Sequence, residues 1–218
     1  MSMKVCLIDR VYTRHAGGIG KDWTIVDVGA AIGGFTIEAA RIATEGRVIA
    51  LEPNMGSINV LRQNVRANQL QNVEALNLGV WDRDAEMPLC ISEQHPLQAQ
   101  TNETEKNSES EARETMVPVI SLETLVNETV TDEIDLMKLD CEGAEFAFLL
   151  NKPATLFKRI KRIVMEYHNL DSERTHKQLK EYLEHVGFDV RVFSNPLDKN
   201  TGYLSAVRSE VRANSGLE

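Results

Sequence analysis

Asp140 and Glu142 stand one residue apart where the apolar run 134–139 meets Gly143, and His168 closes the run Met165-Glu166-Tyr167-His168-Asn169. A carboxylate or an imidazole at the tip of a buried strand is placed to take a proton from a hydroxyl as it reacts. Asp140 is the better placed of the two acids to face a central cleft, with Glu142 lining its rim or capping the next helix. His168 lies just past a strand end, where a structural histidine and a general base both fit. Cys141, between the acids, reads as a packing residue, since no histidine is evidently paired with it.

A second group of residues suits recognition. In Ile25-Val26-Asp27-Val28-Gly29-Ala30-Ala31-Ile32-Gly33-Gly34-Phe35-Thr36, Gly29 and Gly33 flank a turn whose backbone N–H groups face a ligand, while Ala30, Ala31 and Gly34 keep side chains out of the way. Downstream, Val48-Ile49-Ala50-Leu51 ends in Glu52-Pro53, and a carboxylate at a strand tip accepts two hydrogen bonds from a ribose diol. Strand, glycine turn, helix start and a second strand ending in an acid together build a nucleotide-type pocket.

The elements that must position these groups alternate. Strands are expected at 24–28, 47–51, 73–78, 134–139 and 162–167, and helices at about 34–44, 55–68, 143–150 and 172–186, the last capped by Asp171 or Ser172. Such alternation means a mostly parallel sheet with helices on both faces. Strands at 188–193 and 202–207, joined by a turn-rich segment, form a hairpin-like ending with one antiparallel edge. In the middle, 86–92 and 115–120 read as short strands and 121–127 as a short helix. Between those strands, 93–114 is polar and reads as a mobile loop, either a substrate lid or a disordered insertion. Residues 1–23 form a short N-terminal extension, 24–210 a single domain and 211–218 a tail.

With 218 residues and 42% hydrophobic content, the chain is long enough for one α/β domain and short for two. Its apolar runs fall far below the roughly 18–20 residues that span a bilayer, and the start lacks a signal-peptide pattern. Cys6, Cys90 and Cys141 are widely spaced, suggesting neither a disulfide framework nor a metal knuckle, so a reduced cytoplasmic location is expected. The formal net charge of −9 counts against nucleic-acid partners. The one basic run, Lys158-Arg159-Ile160-Lys161-Arg162, reads as a solvated helix end. Ala16-Gly17-Gly18-Ile19-Gly20-Lys21 has the look of a phosphate loop, but His15 stands where the first glycine is needed and Asp22 replaces the magnesium-binding hydroxyl. It is a turn.

The glycine loop, Glu52-Pro53 with Leu61, Asn64 and Asn68, Ser121-Leu122-Glu123-Thr124-Leu125, Asp135 through Glu145, and Glu166-Tyr167-His168 together resemble the FkbM family of S-adenosylmethionine-dependent methyltransferases. The resemblance covers residues 24–170. It implies a Rossmann-like seven-stranded sheet of order 3-2-1-4-5-7-6 with the last strand antiparallel. It also implies S-adenosylmethionine as cofactor and transfer to a hydroxyl oxygen of a small molecule, a sugar or a polyketide-like acceptor. Carried onto this chain, the cofactor site comprises Asp27, Gly29, Ala30, Ala31, Gly33, Thr36, Glu52, Pro53 and Asp140. Gly29 and Gly33 lie against the methionine portion, Glu52 on the ribose and Asp140 near the transferring end. His168 and Asp140 are the candidate catalytic residues. No metal is assigned, a divalent ion on His168 and Asp140 being the weaker alternative. Ala31 departs from the glycine many methyltransferases have there. The short N-terminal region leaves the 93–114 loop, or a partner in a homodimer, to cover the site. Two rivals stand beside this reading. An NAD-dependent oxidoreductase accounts for Gly29–Gly33 and Glu52 but not for the 140–145 element, and a catalytically silent methyltransferase fold binds a ligand or partner without turnover.

Overall fold

The computed structural model describes residues 10–92, 99–101, 112–130 and 132–211. The chain begins with helix Val11–His15 (α1), then strand Thr24–Val28 (β1), helix Gly34–Ile42 (α2), strand Arg47–Leu51 (β2) and helix Met55–Ala67 (α3). Strands Val73–Leu76 (β3), Gly79–Trp81 (β4), Ala85–Ser92 (β5), Ala99–Thr101 (β6) and Ala112–Ser121 (β7) follow. After Leu122–Thr124 (α4) come Leu136–Leu139 (β8), Glu145–Leu149 (α5), Ala154–Phe157 (α6), Arg162–His168 (β9), His176–His185 (α7), Phe188–Ser194 (β10) and Thr201–Arg208 (β11).

Seven strands form the main sheet in the order β3-β2-β1-β8-β9-β11-β10, which counted along the chain is the expected 3-2-1-4-5-7-6. All neighbours are parallel except β11, which runs antiparallel to both β9 and β10. Successive strand residues point to opposite faces, and both faces are buried. Val26, Ile49, Met137, Ile163 and Met165 pack with Leu122, Phe146, Phe157 and Leu179 on one side. Ile25, Val48, Leu136 and Val164 pack with Val11 and Tyr12 of α1 and Phe35 and Ala39 of α2 on the other. The helices on both faces follow from these near-continuous apolar strands.

After β3 the chain returns across the sheet to pair β8 with β1, so β1 and β8 bound the point where strand order reverses. Their carboxyl ends open the crevice in which such sheets bind ligands.

The sequence does not betray a second sheet, in the order β4-β7-β5-β6. The strand expected over 73–78 splits because Asn77 Nδ2 donates to the Glu52 and Pro53 carbonyls at 2.9 and 2.8 Å, turning the chain off the main sheet. Gly79 then passes so close that a Cβ there would meet Val119 Cγ1 at 3.0 Å. Trp81, Leu89, Val117 and Val119 form the buried face of this sheet. Of the polar segment 93–114, residues 93–98 and 102–111 lie outside the described residues; the rest belongs to β6 and β7.

Two further expectations are corrected. The last long helix begins at His176 rather than 172, because Asp171 captures the Glu173 and Arg174 amides and the Arg174 guanidinium in a turn of its own. Of the 158–162 run, only Lys158 is a solvated helix end, the exposed C-cap of α6; the other cations are engaged. Helix α4 continues as a π-helical turn, Leu125–Thr129, and Arg159 reaches back to donate to the carbonyls of Val126, Val130 and Asp132 at 2.6, 3.1 and 2.8 Å. Lys161 pairs with Asp135 and Glu133, and the Arg162 guanidinium lies over the Trp23 ring.

One cation therefore satisfies carbonyls that an irregular helix end leaves without partners. Arg159→Ala is expected to lower unfolding free energy by about 1.5–3 kcal/mol, the range for hydrogen bonds to a charged group. Urea denaturation checks this, and a change below about 0.5 kcal/mol, within ordinary surface-mutation scatter, refutes the assignment.

Candidate functional site

Both loops at the sheet reversal are built on backbone that side chains resist. Gly29 (φ +73°) and the non-glycine Ala31 (φ +48°) turn the chain after β1, and Glu142 (φ +53°) and Gly143 (φ +98°) turn it after β8. The Gly29 and Ala30 amides both donate to Leu51 O at 3.0 Å, binding the first loop to the end of β2. A Cβ on Gly29 would stand 2.0 Å from the Asp140 carbonyl oxygen, so only glycine lets the two loops touch.

Beneath them lies a buried ion pair. Asp27 and Lys138 are cross-strand partners in the β1–β8 register, and Lys138 Nζ lies 3.0 Å from Asp27 Oδ1. The same ammonium donates to Gly29 O at 2.8 Å and stands 3.9 Å from Asp140 Oδ2. Thr36 donates to Asp27 Oδ2 at 2.6 Å. Burial alone would lower the Lys138 pKa, but Asp27 and then Asp140 outweigh it and hold the amine above the usual lysine range.

Glu52, nearly enclosed at the tip of β2, spends one lone pair per oxygen on the protein. Oε2 accepts the Ala31 amide at 2.9 Å and Oε1 the Asn54 amide at 2.8 Å. Burial raises its pKa while these amides, and then Lys138, oppose the rise. A carboxylate held this way is fixed in direction and keeps acceptor capacity for two hydroxyls.

Gly29, Ala31, Glu52, Pro53, Asp140 and Glu142 line one cavity, roofed by Trp81, Met87, Leu89, Val117 and Val119 of the second sheet. Asp27 and Thr36 lie behind this wall, bonded to each other. Ala30 is buried against Ile58 and Leu61, and Gly33 precedes α2 with Leu61 packed against it. These four shape the loop, whereas the first five cavity residues are the expected cofactor positions that reach open space. Cys141 carries a thiol pushed well up by burial and then by Glu145, a packing residue rather than a nucleophile.

The sequence reading missed two members of the site. Tyr12, from the supposed extension, places its hydroxyl 3.0 Å from Asp140 Oδ2 and 3.3 Å from Glu166 Oε2. One phenolic proton cannot serve two carboxylates at once, so the trio is held best when one acid is protonated. Glu166 is the natural holder, pushed up to about 7 by burial and then by the Asp140 charge. The available signal was the period-2 alternation of β9, which puts Glu166 on the same face as His168. His168 Nε2 stands 3.5 Å from Glu142 Oε2, and donor atoms of Asp140, Glu142 and His168 lie within 4.8 Å of one another.

Comparison with known proteins agrees with this layout. The family model for the methyltransferase FkbM domain matches residues 27–190. Methyltransferase 1 of Beauveria bassiana is 25% identical over 204 residues, spanning 87% of this chain and 80% of its own. A methyltransferase FkbM structure from Methylobacillus flagellatus superposes with TM-score 0.59 at 13% identity, covering 86% of this chain and 44% of that longer one. A Streptococcus mutans protein solved in complex with SAH superposes with TM-score 0.57 at 13% identity, covering 93% of this chain and 97% of its own. Among the described residues, no helix is long and apolar enough to cross a membrane.

Removing the cation at the junction leaves Asp27 charged, enclosed and short of a partner. Lys138→Met is expected to cost about 3–5 kcal/mol of stability, as when one member of a buried pair is deleted. The double variant D27N/K138M should recover most of that loss in thermal or urea unfolding. An additive double variant refutes the pairing.

Proposed function

Because the chain belongs to the FkbM methyltransferase family, we propose that it binds S-adenosylmethionine between the ends of β1 and β2 and the second sheet, and methylates a hydroxyl oxygen of a small-molecule acceptor. The observation that carries this is Glu52, fixed by the Ala31 and Asn54 amides in the wall of the cavity that also holds Gly29 and Asp140. The residues present fit the cofactor. Glu52 keeps lone pairs for a ribose diol, Gly29 opens backbone to a ligand, and the apolar second-sheet face suits a flat ring.

When bound, S-adenosylmethionine supplies a methyl group made electrophilic by its sulfonium. The protein's own work is to orient and to move a proton. Alignment of an acceptor oxygen is worth roughly 7–11 kcal/mol of barrier in favourable cases. His168 and Asp140 are the acceptors for the hydroxyl proton, and Tyr12 and Lys138 hold Asp140 on its Oδ2 side. A net charge of −9 supports a small-molecule acceptor over a nucleic acid. We place the site within one copy of the chain, its roof being the second sheet, and leave a homodimer as a further cover.

Calorimetry with S-adenosylhomocysteine tests the cofactor. Micromolar binding is expected, weakened at least about tenfold by Glu52→Ala, as for one lost charge-assisted hydrogen bond; no heat with NAD is expected. Equal affinity in Glu52→Ala removes Glu52 from the site, and no binding to folded wild type sinks the reading.

The raised Glu52 pKa gives a pH signature. Two hydroxyl donors favour the ionised form, so affinity should climb as pH rises through the raised pKa and level off above it. Glu52→Gln should flatten that profile. A wild-type affinity that falls with rising pH over the same window contradicts the role.

For the acceptor side, His168→Ala is expected to lower turnover at least about tenfold, the lower part of the usual range for general-base loss, with cofactor affinity unchanged. Unaltered turnover takes His168 out of the mechanism.

A further inference from the structure

Among the described residues, acidic side chains crowd the ends of β8 and β9. Asp140, Glu142, Glu145 and Glu166 converge there, and the ammonium of Lys138 is engaged chiefly by Asp27 and Gly29 O. Asp140 uses Oδ2 for Tyr12 and Lys138; among the described residues Oδ1 has no protein partner. His168 and Glu142 do not close on each other. Their 3.5 Å separation exceeds the ~2.7–2.9 Å of a charge-assisted hydrogen bond.

Two buried atoms are orphaned beside this gap. His168 Nδ1 and Glu145 Oε2 both lack a hydrogen-bond partner among the described residues. Glu145 is wholly enclosed, and its other oxygen accepts the Cys141 amide at 2.7 Å, which fixes the loop carrying Asp140 and Glu142.

From this arrangement we infer that Asp140, Glu142 and His168 form a binding site for a divalent cation of the Mg²⁺ or Mn²⁺ class at the mouth of the cofactor cavity. Metal–oxygen bonds of about 2.1 Å put opposed donors about 4.2 Å apart, so a cluster spanning 4.8 Å needs only a slight closure. Two carboxylates and one imidazole make a mostly hard donor set, with open positions left for water and for an oxygen of the acceptor. An ion that draws Nε2 toward the acids leaves Nδ1–H to donate toward Glu145. Ligand histidines are ordinarily steadied by a carboxylate in this way, and both orphaned atoms are then satisfied.

The site's existence does not depend on the methyl-transfer reading, but its role rests on it. With His168 and Asp140 engaged as ligands, the cation takes over their part as proton acceptors: it would hold the acceptor hydroxyl and lower its pKa, the proton leaving at neutral pH to water at an open position. That role selects acceptors offering two neighbouring oxygens, such as a vicinal diol or a hydroxy-carbonyl, which chelate better than a lone alcohol.

Mn²⁺ is the probe. Intact protein, freed of metal with a chelator and desalted, is titrated while free Mn²⁺ is followed by electron paramagnetic resonance. Parallel calorimetry uses S-adenosylhomocysteine. About one Mn²⁺ per chain with a micromolar dissociation constant is expected, displaced by millimolar Mg²⁺ and weakened at least about tenfold in both Glu142→Gln and His168→Gln. Unchanged thermal melting confirms that each variant is folded, and Glu74→Gln serves as a surface-charge control with wild-type Mn²⁺ affinity.

Wild-type Mn²⁺ binding no tighter than in the two variants, or a loss equal to that of the Glu74 control, overturns the site. S-adenosylhomocysteine binding without Mn²⁺ binding overturns it too, leaving the acids to meet the positive charge of the cosubstrate and sparing the methyltransferase reading. Mn²⁺ binding without S-adenosylhomocysteine binding supports the site and rejects that reading instead.

Discussion

Everything at the ligand end of the sheet hangs on the contact between Asp27 and Lys138. The pair sits at the junction where strand order reverses, and its ammonium reaches three separate pieces of structure. It holds the carboxylate of β1, the Gly29 carbonyl of the first loop and, at longer range, the Asp140 carboxylate of the second. A buried ion pair is a weak source of net stability, because desolvating both charges offsets most of their attraction. What it supplies is geometry. Shifting β8 by one residue against β1 would swing Lys138 to the opposite face and leave Asp27 charged among apolar side chains, so the pair penalises a slipped register. The left-handed residues Gly29, Ala31, Glu142 and Gly143 are then tolerable, since the strain of each is set against a junction that admits few alternatives.

The second sheet solves a different problem. The carboxyl ends of β1 and β2 form a floor, and a polar floor open to water would weaken every hydrogen bond made on it. Asn77 caps the Glu52 and Pro53 carbonyls and sends the chain up into β4. From there Trp81, Leu89, Val117 and Val119 close over the cavity. One side chain thus secures the strand end that carries Glu52 and starts the roof that encloses it. The raised Glu52 pKa follows from that enclosure.

Much of this was legible in the sequence wherever neighbours in the chain are neighbours in space. The apolar strands, the glycine turn and Glu52 at its strand tip are local signals, and each sits where its spacing puts it. The strand order was legible through family resemblance rather than periodicity. What escaped was non-local. The strands over 86–92 and 115–120 were foreseen, but not that they pair with each other in a sheet of their own, because period-2 alternation says nothing about partners. Tyr12 meets Asp140 from 128 residues away, a contact that no window along the chain can show. The late start of α7 reflects Asp171 choosing two amides of a turn over the helix, and either choice uses the same residue type.

The site divides along the same junction. On the β1–β2 side, the proposed recognition falls to backbone and to one acid whose direction is locked by two amides. On the β8–β9 side, carboxylates, a phenol and an imidazole crowd together, and a single proton between Asp140 and Glu166 can be passed through Tyr12. The methyl transfer proposed above would consume a cationic cosubstrate and expel a proton, a change in local charge that groups on one side only could take up. The Lys138 ammonium stands between Asp27 on β1 and Asp140 at the end of β8. Glu52 stays fixed in direction by its own two amides while the acids across the junction trade a proton.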